Sequence, residues 1–120
     1  MSNPEHNTIN YLEFSVMDSQ QISEIKDFYS NAFGWVFQDW GPSYIDTQSS
    51  GLGCGFSVSD SDHDLSAPLA VIYANDLESS YEIVTSAGGI ITRETFEFPG
   101  GRRFHFKDPV GNELAVWSDK

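Results

Sequence analysis

From Ile9 to Val16 apolar and polar residues alternate, with Leu12, Phe14 and Val16 on one side and Tyr11, Glu13 and Ser15 on the other. Such a period of two predicts a half-buried strand. The spacing then changes to three and four, because Ile22, Ile25, Phe28 and either Ala32 or Phe33 make one apolar stripe. This predicts an amphipathic helix lying on the Leu12/Phe14/Val16 face. Asp18 opens it, with Gln21 completing a capping box, and Gly34 is placed to close it. Short strands follow at Trp35 to Asp39, at Tyr44 to Thr47 after the Gly41-Pro42 break, and at Gly53 to Val58 after Ser49-Ser50-Gly51.

After residues 59–67 the same order returns. Leu69 to Ala74 reads as a strand, Asp76 caps a helix carrying Leu77, Tyr81 and Val84, and Gly88-Gly89 ends it. Strands at Ile90 to Phe98, Arg102 to Lys107 and Glu113 to Trp117 complete the set. The last two flank Asp108-Pro109-Val110-Gly111-Asn112, a tight reversal, and so form a hairpin. Pairing Lys107 with Glu113 across that turn places Phe104, Phe106, Leu114 and Val116 on one face. Arg103, His105 and Lys107 then share the other with Trp117, Ala115 and Glu113. Laying Leu12–Asp18 over Ala70–Asp76 superimposes strand, cap aspartate and helix start, so the chain is a tandem repeat of two β-α-β-β-β modules. Neither is large enough to be comfortable alone. The expectation is an α+β fold in which the two modules join into a curved, partly open, barrel-like mixed sheet with helices outside. It is one domain, 1–120, with module one at about 8–59, a linker at about 60–67 and module two at about 68–119.

The linker is acidic. Asp60, Asp62 and Asp64 mimic the first ligands of a calcium loop, but Leu65 stands at the glycine position and Val71 where the closing glutamate belongs. A solvated connector with His63 exposed is the better reading. His6, in a polar N-terminal stretch, reads as a solvated tail residue.

Composition narrows the function. Eighteen acidic against six basic residues give a formal charge of −12, which argues against a nucleic-acid partner, keeps the protein in solution and tolerates a cationic ligand. One cysteine, Cys54, leaves no intrachain disulfide and no multi-cysteine zinc site. Its parity, opposite to Gly53 and Gly55, makes it a small buried apolar group. No apolar run approaches membrane length and the N-terminus has no secretion signal, so the expected location is cytoplasmic. Gly51-Leu52-Gly53-Cys54-Gly55 precedes no helix, so it leaves room against the sheet rather than cradling phosphate.

Two such modules closed by Phe-His-Phe-Lys-Asp-Pro-Val-Gly-Asn-Glu-Leu, together with Asp-Phe-Tyr-Ser-Asn-Ala-Phe-Gly-Trp at 27–35, give the chain its resemblance. Over residues 8–119 it resembles the vicinal oxygen chelate superfamily of glyoxalase I, bleomycin-resistance proteins and extradiol dioxygenases, and most closely its small glyoxalase/bleomycin resistance proteins. Metal-dependent members take ligands from the first and last strands of each module. Carried over, those positions fall on Tyr11, Leu69, Gly55 or Phe56, and Ala115, none of them His, Glu or Gln. The resemblance therefore implies no metal cofactor here, which argues against glyoxalase I and dioxygenase chemistry. It also implies a homodimer.

In the geometry that the resemblance implies, Tyr11, Glu13, Tyr73, Arg103, His105, Glu113 and Trp117 share a concave face, with Phe56 joining them as a ligand contact. Such an aromatic-walled hollow suits a small molecule. Glu13 needs a partner once desolvated, for which Arg103 and His105 are available, and His105 opposite Ala115 has the chemistry of a general base. Two functions follow. One is a metal-free binding protein of the bleomycin-resistance kind that takes a small aromatic compound, whether neutral or cationic. The alternative is a glyoxalase-like lyase or isomerase, related to lactoylglutathione lyase, acting through Glu13 and His105 or through a metal whose ligands the carry-over does not identify.

Overall fold

Strand β1 (Thr8–Val16) leads through the Asp18 cap into helix α1 (Ser19–Phe33) in a computed structural model that describes residues 4–58 and 68–120. Strands β2 (Phe37–Asp39), β3 (Tyr44–Thr47) and β4 (Gly53–Val58) follow. The order then repeats as β5 (Leu69–Tyr73), α2 (Leu77–Ser86), β6 (Ile90–Phe98), β7 (Gly101–Lys107) and β8 (Glu113–Ser118). The acidic connector, with its calcium-like aspartates and His63, lies outside the described residues. Among the described residues no helix is long and apolar enough to cross a membrane.

The chain divides into two compact units, one from Tyr11 to Pro68 and the other from Leu69 to Lys120 together with the N-terminal residues through Asn10. The units share one topology. In the first the strand order is β2-β3-β4-β1, antiparallel except for the parallel β4–β1 pair. In the second it is β6-β7-β8-β5, again antiparallel except for the parallel β8–β5 pair. The α+β class and the two β-α-β-β-β repeats stand as expected.

Each parallel pair needs a crossover, and the helix supplies it. In the first unit Asp18 accepts the Gln21 N–H through Oδ1 at 2.9 Å, and the Gln21 side chain returns to the Met17 N–H at 2.7 Å, one residue before the expected capping box. Gly34 ends the helix in the left-handed region, with its N–H on Ser30 O and that of Trp35 on Tyr29 O. The apolar stripe differs from the sequence reading. Ile22 is buried and Ile25 and Tyr29 pack on the core, whereas Phe28 and Phe33 are 57% and 63% exposed and Ala32 is exposed. Tyr29 continues the stripe because its ring lies 5.6 Å from that of Phe56, in a cluster where Phe14 and Phe56 stack at 5.1 Å. Trp35 precedes β2 rather than starting it, stacked on Tyr29 at 4.8 Å.

In the second unit Asp76 accepts the Ser79 N–H at 3.1 Å and starts α2. Leu77, Phe104 and Val116 form the core beneath it, with Phe106, Tyr81 and Val84 packed alongside. Lys107 pairs with Glu113 and His105 with Ala115, so the hairpin register is the one read from the sequence. His6, read as a solvated tail residue, is exposed but holds a place: its Nδ1 accepts the Asn75 N–H at 3.1 Å, while Asn7 N–H donates to Tyr73 O at 2.8 Å.

Gly101 begins β7 at φ +150°, and a methyl group built there would meet the backbone oxygen of Ser118 at 2.0 Å. That oxygen belongs to the adjoining strand and cannot step aside without breaking the ladder. Gly101→Ala is expected to cost about 2–3 kcal/mol, measured as a lower urea midpoint at unchanged m-value; an unaltered midpoint would contradict the close approach.

Candidate functional site

The faces not covered by helices carry the unusual side chains. In the first unit Gly55 pairs with Glu13 of β1 on one side and Asp46 of β3 on the other, so both carboxylates flank the glycine. With strands about 4.8 Å apart, their backbones stand roughly 10 Å from each other. Tyr11 is two residues before Glu13 and Tyr44 two before Asp46, aligned with Gly53 and Ser57 respectively. The rings lean in from opposite ends and their hydroxyls hydrogen-bond to each other over Gly55. A Cβ at position 55 would lie 2.2 Å from both hydroxyl oxygens, so the missing side chain is what lets the pair close.

Burial is the first cause raising the Tyr11 phenol far above its ordinary range, followed by the Tyr44 hydroxyl and then the charges of Asp46 and Glu13. Tyr11 therefore stays protonated at neutral pH and is not a base. Cys54, on the helix side, is buried at 3% exposure, and its thiol is pushed up to about 11 by that burial, partly opposed by a hydrogen bond from Ser50.

In the second unit Tyr73, Trp117 and Arg103 stand in one row across β5, β8 and β7, and Val71, Ala115 and His105 in the next. Glu113 follows on the same side of β8. Tyr73 meets the Trp117 ring edge-on at 5.1 Å and donates its hydroxyl to Asp119 Oδ1 at 2.6 Å, while Trp117 Nε1–H donates to Asn10 Oδ1 at 3.0 Å. The Arg103 guanidinium lies 5.3 and 5.8 Å from the Phe96 and Phe98 ring centroids, and that of Arg93 lies 3.9 Å over Phe96. His105 is 3% exposed, with Nδ1 3.9 Å from Glu113 Oε2; that carboxylate also accepts the Thr92 hydroxyl at 2.7 Å.

Tyr11 and Glu13 are thus neighbours within the first unit, and Tyr73, Arg103, His105, Glu113 and Trp117 within the second. Phe56 is the exception. It is 3% exposed in the core beneath α1, on the face opposite Gly55, because its parity matches Cys54 and Val58 in alternation with the glycines. It is not available to a ligand on the other face. Tyr44, Asp46, Arg93, Phe96 and Phe98 went unread in the sequence. The signal for the first two was the Tyr-Ile-Asp-Thr alternation, whose polar side lines up with Glu13 only once the β3–β4 register is known.

The positions carried over for a divalent ion do not fit one. Leu69 and Ala115 have hydrocarbon side chains, Gly55 has none, Phe56 faces the helix, and the Tyr11 hydroxyl is held protonated against Tyr44. Such ions take roughly three or four N, O or S donors, and no group of three or more His, Cys, Asp or Glu among the described residues is arranged to supply them. Two surface hollows, of about 340 Å³ beside α1 at Ser23 and Lys26 and about 460 Å³ beside α2 at Ser80 and Val84, lie on the helix sides and include none of the candidate residues.

A family model described as Glyoxalase/Bleomycin resistance protein/Dioxygenase superfamily matches residues 8–116. Among curated proteins none matches the chain. Among solved structures, an NAD-dependent benzaldehyde dehydrogenase from Legionella pneumophila superposes with a TM-score of 0.71 at 15% identity, covering 92% of this chain and 98% of that one. A methylmalonyl-CoA epimerase from Mycobacterium tuberculosis gives 0.71 at 11% identity, covering 98% and 91%. A glyoxalase/bleomycin resistance protein/dioxygenase superfamily member from Vibrio splendidus 12B01 gives 0.63 at 14%, covering 92% and 99%. At these identities the likeness is one of fold, and the names alone span unrelated chemistries.

Two predictions test the geometry. Gly55→Ala forces the Tyr11 and Tyr44 hydroxyls apart and is expected to cost about 1–3 kcal/mol, whereas Gly55→Ala in a Tyr11→Phe/Tyr44→Phe background should cost less; equal losses would refute the contact. The second concerns pH. Donation from Tyr73 is the first cause lowering the Asp119 carboxyl below its usual range, and the same bond raises the Tyr73 phenol. The Asp119 contribution is present above its unfolded value of about 4 and is lost as pH falls below it. The Tyr73 contribution is present below about pH 10 and is lost as pH rises past it. The stability difference between wild type and Tyr73→Phe should therefore be largest at neutral pH and shrink toward both extremes, and a difference independent of pH would remove this pair from the account.

Proposed function

The chain belongs to the Glyoxalase/Bleomycin resistance protein/Dioxygenase superfamily, and from that premise we propose that it is a binding protein for a small aromatic cation, without a divalent metal. The observation that carries this reading is the arrangement around Gly55. Two tyrosine rings and two carboxylates, Glu13 and Asp46, face the same way from strands on either side of a residue with no side chain. Aromatic faces and carboxylates together attract a cation, and an aromatic cation gains stacking as well. The formal charge of −12 adds a long-range attraction of the same sign. Within the second unit, Tyr73, Arg103, Glu113 and Trp117 are proposed as ligand contacts in their own right, and pairing of two chains belongs to the proposal as well.

Benzyltrimethylammonium and its neutral analogue benzyl alcohol are suitable probes. The cation should bind by isothermal titration calorimetry, the alcohol should bind at least about tenfold more weakly, and Asp46→Asn should weaken the cation selectively. Equal affinity for both, or no effect of Asp46→Asn, would reject the site. Retention of stoichiometric zinc, nickel, manganese or ferrous iron after desalting would reject the metal-free part, and a monomeric mass by light scattering would reject the pairing.

A second reading, acid/base turnover by a glyoxalase-like lyase or isomerase, has one observation in its favour. His105 is buried with the Glu113 carboxylate 3.9 Å from Nδ1, too far for a hydrogen bond, so a proton-transfer role needs the pair to close to about 3 Å. It requires that Glu13→Gln and His105→Ala each abolish turnover in a folded protein.

A further inference from the structure

The end of α1 carries an aromatic surface that the ligand-binding proposal does not use. Phe28 and Phe33 are 57% and 63% exposed with ring centroids 6.3 Å apart, and Val36 nearby in sequence is 76% exposed. Two large rings left together in water are costly for a surface with no partner. They are also not loose. Tyr29 meets Phe28 edge-on at 4.9 Å, stacks on Phe33 at 5.9 Å and on Trp35 at 4.8 Å, and reaches the buried Phe56 at 5.6 Å. The exposed rings are therefore mounted on a ladder that runs into the core. Aromatic anchors fixed before contact lose little entropy on binding, which is the usual make-up of an interface hot spot.

We infer that Phe28 and Phe33 form a docking surface for a protein segment that joins an apolar anchor to a basic rim. The charge around the rings selects that chemistry. Glu24 stands one helical turn before Phe28, Asp27 is adjacent to it, and both are exposed. The nearest cation in the helix, Lys26, is engaged by Asp39 at 3.0 Å. A second copy of this chain brings the same acidic rim and its own formal charge of −12, so like charges would face each other across the patch. A basic amphipathic segment meets both requirements, rings to apolar face and acids to lysine or arginine.

The test uses the whole protein with two probes, a short synthetic amphipathic helix of leucine and lysine and its leucine and glutamate counterpart. The leucine–lysine peptide should shift amide resonances of residues 24–36, and Phe28→Ser/Phe33→Ser should weaken it by about tenfold or more. Both positions are exposed, so the fold is retained, which circular dichroism checks. Glu24→Lys/Asp27→Lys should also weaken it and raise the affinity of the glutamate peptide. Undiminished binding to the double serine variant would reduce the effect to charge alone and overturn the inference. So would equal binding of the glutamate peptide, or a wild-type dimer that the serine substitutions split, since the occupant would then be a second copy.

Discussion

Among the described residues each unit has four strands and one helix, so a helix covers one face of the strands and no described element of that unit covers the other. The alternation of side chains along the strands then separates two different problems. On the helix side the solution is packing: Phe56, Ile45, Phe104 and Leu77 are nearly or wholly buried, and each such side chain contributes about 1.5–3 kcal/mol of apolar burial. On the other side the same strands must carry residues that tolerate another environment. Tyrosines, acids, arginines and a histidine accumulate there because each joins an apolar body to a polar end.

The repeat duplicates the topology without duplicating the chemistry. Around Gly55 the first unit gathers phenols and carboxylates, and the phenol of Tyr11 is kept neutral by burial and by the negative groups beside it. The second unit gathers guanidinium groups on phenylalanine rings, with Trp117 and His105 in the neighbouring rows. Like frames thus carry unlike faces, each described within its own unit.

Much of this was legible in the residues themselves. Gly34, Asp18 and Asp76 mark helix ends by local backbone chemistry, and the Asp108–Asn112 turn fixes the register that pairs His105 with Ala115. Such signals act over a few residues and need no tertiary knowledge. What misled was the face of α1. Phe28 and Tyr29 are adjacent aromatics, and spacing alone cannot tell which continues the stripe; stacking of Trp35 on Tyr29 decides it. Phe56 misled for a related reason, since its reading as a ligand contact followed the family alignment rather than its own parity with Cys54. Tyr44 and Asp46 went unseen because a strand of four residues carries too little periodicity to announce its neighbours.

The closure of two hydroxyls over Gly55 ties three distant positions, 11, 44 and 55, into one epistatic set. Any side chain at 55 collides with both phenols as they stand, so a larger residue cannot be introduced there by one substitution without displacing a tyrosine. The order of change is constrained: a tyrosine has to give way before, or together with, the glycine. Positions 11, 44 and 55 are therefore open to change only as a set, even though no backbone atom need move.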